Sequence, residues 1–258
     1  TVQRSLTKIQ DTTSEISSAL MLAASSDSAS MVQVTTSDAR SRFISIVSVL
    51  NSQVGNRALF AGAETGNSAL ISAEDILTNI KASIVTETTA SGVEAAVSSW
   101  FDDLGGGFET IAYQGSEKFL APFRLGPNDT TSLNIRADSQ ELRDLLKGFA
   151  LAALVADGAL LGNPSERLEI TRSAASRLLN SEDSLTEMRA NIGSVEARIE
   201  SAKARNNSEA SALEIARSEI LGVDPYKSAT ELQSIQTQLE MLYAMTAKIS
   251  KLSLVDYI

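Results

Sequence analysis

Two of the side chains most used in catalysis are missing from this chain. Among its 258 residues there is no Cys and no His. That removes disulfides, thiolate nucleophiles, imidazole acid–base chemistry and the Cys and His ligands of zinc sites. Three pairs of neighbouring carboxylates remain: Glu74-Asp75, Asp102-Asp103 and Glu182-Asp183. On a helix, neighbours point about 100° apart and do not share a substrate, so these pairs read as solvated surface. No spacing nominates a more distant carboxylate pair of the glycosidase or aspartic-protease kind. Gly105-Gly106-Gly107 is not followed by Gly-Lys-Ser/Thr, so it reads as a turn and not as a phosphate loop. The residues nominate no catalytic group, no cofactor and no metal, and no enzyme activity is expected.

The balance of charge points the same way. There are 32 acidic and 22 basic residues, for a net charge of −10. Such a chain lacks the basic footprint of a nucleic-acid binder. No apolar run is long enough to span a bilayer. Apolar residues make up 43% and aromatics only 5%, with four Pro. A core built mainly of Leu, Ile, Val and Ala suits long helices. The absence of Cys does not fix a compartment. The sequence starts at Thr1, inside an apolar pattern, which reads as a form lacking native N-terminal residues. No cleavable signal peptide is visible.

The elements that dominate the chain are its long helices. Asn163-Pro164-Ser165-Glu166 is a strong helix start: a side-chain cap, a preset φ and an acidic third position. From there the apolar residues Leu185, Met188, Ile192, Val195, Ile199 and Ala202 fall at alternating steps of three and four. The register resumes at Leu213, Ala216, Ile220 and Val223. This is a heptad seam, and a helix from Pro164 to Leu221 would be roughly 85 Å long. Asn206 and Glu209 interrupt the seam. They read either as a register-setting polar layer or as a place where the helix faces water beyond its partner.

Residues 1 to about 58 carry a second stripe: Val2, Leu6, Ile9, Thr13, Ile16, Leu20 and Ala23, then Phe43, Ile46, Val47, Leu50 and Val54. The pattern predicts one helix ending near Gly55, paired antiparallel with the helix over 185–223. The expected rod core is Leu6, Ile9, Ile16, Leu20, Leu185, Met188, Ile192, Val195 and Ile199. Between the two stripes, residues 63–163 differ in texture. Helices are predicted over 72–85 and 93–101, and a β-hairpin around Gly126-Pro127-Asn128-Asp129. A helix capped by Asp138 and Glu141 follows, running to about Val155. This middle reads as a small outer α+β domain around Trp100, Phe123, Leu133, Ile135, Leu145 and Phe149.

The last helix starts at Asp224-Pro225 and carries Leu232, Ile235, Leu239, Leu242, Met245, Ile249 and Leu252 on one stripe. The stripe alone fits two roles. It could be a core helix folded back on the rod, or an assembly helix buried between subunits.

Short motifs in order along the chain add a resemblance. Asn56-Arg57-Ala58-Leu59-Phe60-Ala61-Gly62 resembles a turn of bacterial flagellins and of the hook–filament junction family, hook-associated protein 3. The run Trp100 to Glu109 (WFDDLGGGFE), followed by Tyr113-Gln114-Gly115-Ser116, resembles a segment of the α-proteobacterial junction proteins. Asp224-Pro225-Tyr226, Thr230-Glu231-Leu232-Gln233, Gln236-Thr237-Gln238-Leu239-Glu240, Tyr243 and the final Leu252-Ser253-Leu254-Val255-Asp256-Tyr257 are similar to the C-terminal helix of that family. The resemblance covers most of the chain, and it implies a mainly α fold with a small α+β insertion on a long antiparallel helical coiled-coil rod of the flagellin type. The divisions would be residues 1–62 and 164–224 as the two halves of the rod, 63–163 as the insertion and 225–258 as the terminal assembly helix.

The resemblance also implies a job. The chain would join hook to filament as an extracellular structural protein, exported through the flagellar type III pathway. Its partners would be other copies of itself, the neighbouring hook-associated protein, flagellin and an export chaperone. The alternatives are a filament flagellin and a needle-tip or translocator coiled-coil protein of a type III secretion system. Some flagellins carry a zinc peptidase, which needs His-Glu-x-x-His and is excluded here. In a bacterial chain the Asn128-Asp129-Thr130 and Asn206-Asn207-Ser208 matches to the N-glycosylation spacing are chance.

Overall fold

The computed structural model describes residues 1–26, 28–222 and 224–251. The N-terminal stripe forms two helices where the sequence predicts one: α1 (Val2–Ser25) and α2 (Ala29–Leu50). The break falls in the serine-rich stretch. The Ser26 hydroxyl donates to the Ala23 carbonyl at 2.8 Å, and Ser28 caps α2 by accepting from the Met31 N–H at 3.3 Å. Serine side chains offer the backbone local partners that compete with continuing the helix. α1 and α2 then pack antiparallel. Arg42 on α2 reaches back to Glu15 on α1 at 2.7 Å, which holds its guanidinium pKa above the usual value against partial desolvation.

α2 ends at Leu50, earlier than the stripe suggests. Gln53–Val54 (β1) and Arg57–Ala58 (β2) make a two-residue hairpin across Gly55-Asn56. Both turn residues have positive φ, 57° and 60°, the geometry of a type I′ turn that favours Gly and Asn. Just beyond it Phe60 is fully buried and Leu59 partly buried.

Three further helices follow: α3 (Ala73–Ser83), α4 (Ala90–Asp102) and α5 (Gln140–Ala156). Ser72 and Thr89 cap the first two. Asp138 does not cap α5; Ser139 holds that position, and Asp138 pairs instead with Arg136 at 2.8 Å. Burial pushes the Asp138 carboxyl above its ordinary value, and the Arg136 guanidinium opposes the shift. A π-helical turn, Phe108–Ala112, stacks Phe108 on Phe101 and was not visible in the sequence. The hairpin around Gly126 is present but short: β3 (Phe123–Arg124) pairs with β4 (Thr130–Thr131). Leu133, Ile135 and Ala137 lie beyond it outside any strand.

The long helix α6 (Pro164–Leu221) starts where Asn163-Pro164 predicts, with the Asn163 Oδ1 accepting from the Glu166 N–H at 3.5 Å. It runs antiparallel to α1. Gln10 donates to Thr186 at 2.9 Å and Ser17 to Glu182 at 3.1 Å, so partners retreat along α6 as α1 advances. α5 lies antiparallel along α2, with Gln33 donating to the Ala156 carbonyl at 3.3 Å. It also meets α6 closely: a Cβ on Gly148 would sit 2.7 Å from Leu178. Four helices thus pack in the cyclic order α1, α2, α5, α6.

The expected outer domain has no core of its own. Leu145, Leu146 and Phe149 of α5 share one continuous core with Leu6, Ile16, Leu20, Phe43, Ile46, Leu178 and Leu185, and α3 and α4 add to the same core. α5 is a bundle helix: Gly148 leaves room for Leu178 of α6 to approach, and Ala150, Ala152 and Ala153 are fully buried. Phe123, expected in the middle domain's core, is exposed. Compactness divides the chain into residues 1–202 and 203–258.

The carboxylate pairs are not plain solvated surface either. Asp102 binds the buried Lys147 at 2.6 Å, Glu74 binds Arg40 at 2.6 Å, and Glu182 accepts from Ser17.

Candidate assembly surface

α7 (Pro225–Lys251) begins with the cap the sequence predicts. The Asp224 carboxylate accepts from the N–H of Tyr226 at 2.9 Å and of Lys227 at 3.4 Å. Pro225 occupies the first helical position, where its missing N–H costs nothing. Thr230, Thr237 and Thr246 each donate to a carbonyl four residues back. Their hydroxyls are therefore satisfied within the helix and ask nothing of a partner.

No residue of α7 is buried. Leu232, Ile235, Leu239, Leu242, Met245 and Ile249 are all exposed, from 47% at Leu239 to 70% at Ile249. Leu252 lies outside the described residues, as do 253–258 with the final part of the C-terminal motif. Tyr226, Met241 and Tyr243 are exposed as well. At 3.6 residues per turn, Met241 and Tyr243 flank the stripe on either side and widen it to about half the circumference. The seven-residue stripe missed these two because a heptad count keeps only the seam positions. An arc this wide exceeds what one partner helix covers in a two-stranded seam.

Exposure begins before α7. Leu213, Ala216 and Ile220, in register with the α6 seam, are exposed, as are Ile215 and Leu221. Val223 lies outside the described residues. The seam expected to be filled over 185–223 is therefore covered only in its first part. Leu185 and Ile192 are buried, Met188 packs partly buried against the core, Val195 and Ile199 are half-buried, and Ala202 is buried. From α1, Leu6, Ile9, Ile16 and Leu20 are buried. Asn206 and Glu209 lie in the exposed stretch.

Contiguous exposed apolar surface is the kind of surface through which proteins bind partners. Fully burying one such side chain contributes on the order of 1.5–3 kcal/mol before entropy costs. Among the described residues no helix is long and apolar enough to cross a membrane, and no three His, Cys, Asp or Glu side chains cluster to hold a metal.

Residues 180–258 match the family model described as the bacterial flagellin C-terminal helical region. No curated protein and no solved structure matches the chain. The matched stretch takes in the uncovered half of the α6 seam and all of α7. It supports the flagellin superfamily, and with it a structural protein of flagellar filament type that associates with its own copies in the extracellular flagellum.

Proposed function

We propose that this chain is the structural subunit that joins the flagellar hook to the filament. It assembles by stacking helices of one copy on the next, with α7 as the assembly element. The observation that carries the assembly role is the apolar arc of α7, exposed along its whole length within the stretch that matches the flagellin C-terminal region. Leu232, Ile235, Leu239, Leu242, Met245, Ile249 and Leu252 are the interface residues in this reading. The junction role rests on the resemblance of residues 100–109, 113–116 and 252–257 to the hook-associated protein 3 family. In this role the chain meets a hook-associated protein on one side and flagellin on the other. It reaches its place through the flagellar type III pathway with an export chaperone.

A deletion strain tests the junction. Cells lacking the chain are expected to keep hooks, shed flagellin into the medium and swim poorly. Normal swimming with attached filaments would sink the proposal. The filament-flagellin reading makes a different forecast: the purified chain would polymerise by itself into long filaments, whereas a junction subunit stops at short rings or oligomers. Electron microscopy of concentrated protein separates the two.

A further inference from the structure

The chain holds five Met and no Cys, so five thioethers are its only sulfur groups. Their surroundings differ. Met21 and Met188 pack partly buried against the bundle core. Met31 on α2 is 40% exposed, whereas Met241 and Met245 on α7 are 59% and 66% exposed. Access governs which sulfur an oxidant reaches first. The two most open sulfurs therefore lie four residues apart on one helix, where side chains on successive turns are neighbours.

Both belong to the apolar arc of α7. Met245 is one of its stripe residues, with Leu242 and Ile249 at three- and four-residue steps from it, and Met241 flanks the stripe. The neighbouring hydroxyls of Thr237 and Thr246 are spent on the Gln233 and Leu242 carbonyls. A thioether suits an apolar contact because it is flexible, polarizable and carries no strong acceptor. A sulfoxide does not. Its oxygen is strongly polar, and taking it out of water without a donor is costly.

We propose that Met241 and Met245 form an oxidation site that turns off assembly through α7, with a peroxide as the oxidant. The proposal rests on α7 being the assembly element. In the step, the thioether sulfur attacks one oxygen of hydrogen peroxide. An S–O bond forms and the O–O bond breaks. The proton on the attacked oxygen passes to the departing one, which leaves as water. Sulfur gives up two electrons and the peroxide takes them. Reversal needs thiols, which this chain lacks, so a separate methionine sulfoxide reductase must supply it. Burial sets the order of events. A free chain presents both sulfurs, whereas a chain already assembled through α7 shields them. The site thus acts on subunits that have yet to assemble and spares those already in place.

The test uses the full chain. Mild hydrogen peroxide is expected to add one oxygen to Met241 and to Met245 before Met21 and Met188, as read by peptide mass spectrometry. The melting temperature should stay near that of untreated protein. Self-association, measured by sedimentation, should weaken about tenfold for each sulfoxide buried without a donor, and sulfoxide reductases should restore it. Met241→Leu with Met245→Leu keeps the apolar contact and should associate like the parent before and after peroxide. Met241→Gln with Met245→Gln should associate weakly with no oxidant present. Parent protein oxidised at both positions that associates as well as untreated protein overturns the proposal. So does a Leu variant that loses association to peroxide as the parent does, because the effect would then lie at another residue. Leu239→Asp separates the two levels. If it abolishes association while oxidation has no effect, α7 remains the assembly element and only the oxidation site is lost. If it associates like the parent, the α7 reading fails and takes this proposal with it.

Discussion

The Lys147 ammonium lies 2.6 Å from the Asp102 carboxylate although Lys147 itself is only 3% exposed. Asp144, one turn back on the same helix, closes on the same nitrogen at 2.5 Å. The pair ties the last residue of α4 to the middle of α5, with Arg143 adding a bond to the Phe101 carbonyl at 3.1 Å. A buried cation is tolerable only while its counter-charges are present.

That asymmetry makes the first prediction. Asp102→Asn combined with Asp144→Asn strands an ammonium in the core and should cost about 3–5 kcal/mol. Lys147→Met keeps the aliphatic packing and leaves two carboxylates that can reach water, so it should cost far less, about 1 kcal/mol or under. Urea denaturation measures both. Equal losses would show that packing, not charge, sets the stability here.

A second prediction contrasts two positions of one heptad register. Ile192 is buried between α6 and the bundle, whereas Leu213 is 63% exposed. Ile192→Asp should destabilise by about 3 kcal/mol or more. Leu213→Asp should leave the monomer's thermal unfolding unchanged, as followed by circular dichroism. A similar drop in melting temperature for both would mean that the whole seam is covered in the free chain.

Gly62 supplies the third. Its φ is +62°, and a Cβ there would lie 2.6 Å from the carbonyl oxygens of both Ser116 and Lys118. Ala63 donates to that same Lys118 carbonyl at 2.8 Å, so the strand of backbone cannot retreat without losing a bond. Gly62→Ala should cost about 1–3 kcal/mol from the clash and the strained backbone together. A variant as stable as the parent would show that the 116–118 segment moves freely.

The fourth concerns α7. Leu239 sits near the centre of its apolar arc and is 47% exposed. Leu239→Asp should leave the monomer's melting temperature unchanged while abolishing stable attachment of filaments, seen as flagellin in the culture supernatant and poor swimming. A strongly destabilised monomer would make α7 ordinary core, and normal swimming would remove it from the assembly.

The sequence by itself determined the helices and their faces. The three-four spacing of Leu6, Ile9, Ile16 and Leu20 and of Leu185, Met188 and Ile192 set which side of each helix is apolar. Asn163-Pro164 and Asp224-Pro225 fixed where α6 and α7 begin, because capping is chemistry between residues a few positions apart. Local chemistry also underlies the turn at Gly55-Asn56, although the stripe around it suggested continued helix. Tertiary structure alone decided what covers each face. Ile192 and Leu213 look alike in the heptad pattern, yet one is buried and the other is not, because periodicity reports an apolar side and says nothing about how far a neighbour reaches. The place of α5 was hidden for a related reason. Its glycine and alanines carry little signal in a hydrophobic pattern, but the lack of a side chain at Gly148 is what lets α6 approach, and so places α5 among the bundle helices. The charge of Lys147 marks it as surface in any hydrophobic pattern. Only the approach of Asp102 from another helix makes its burial possible.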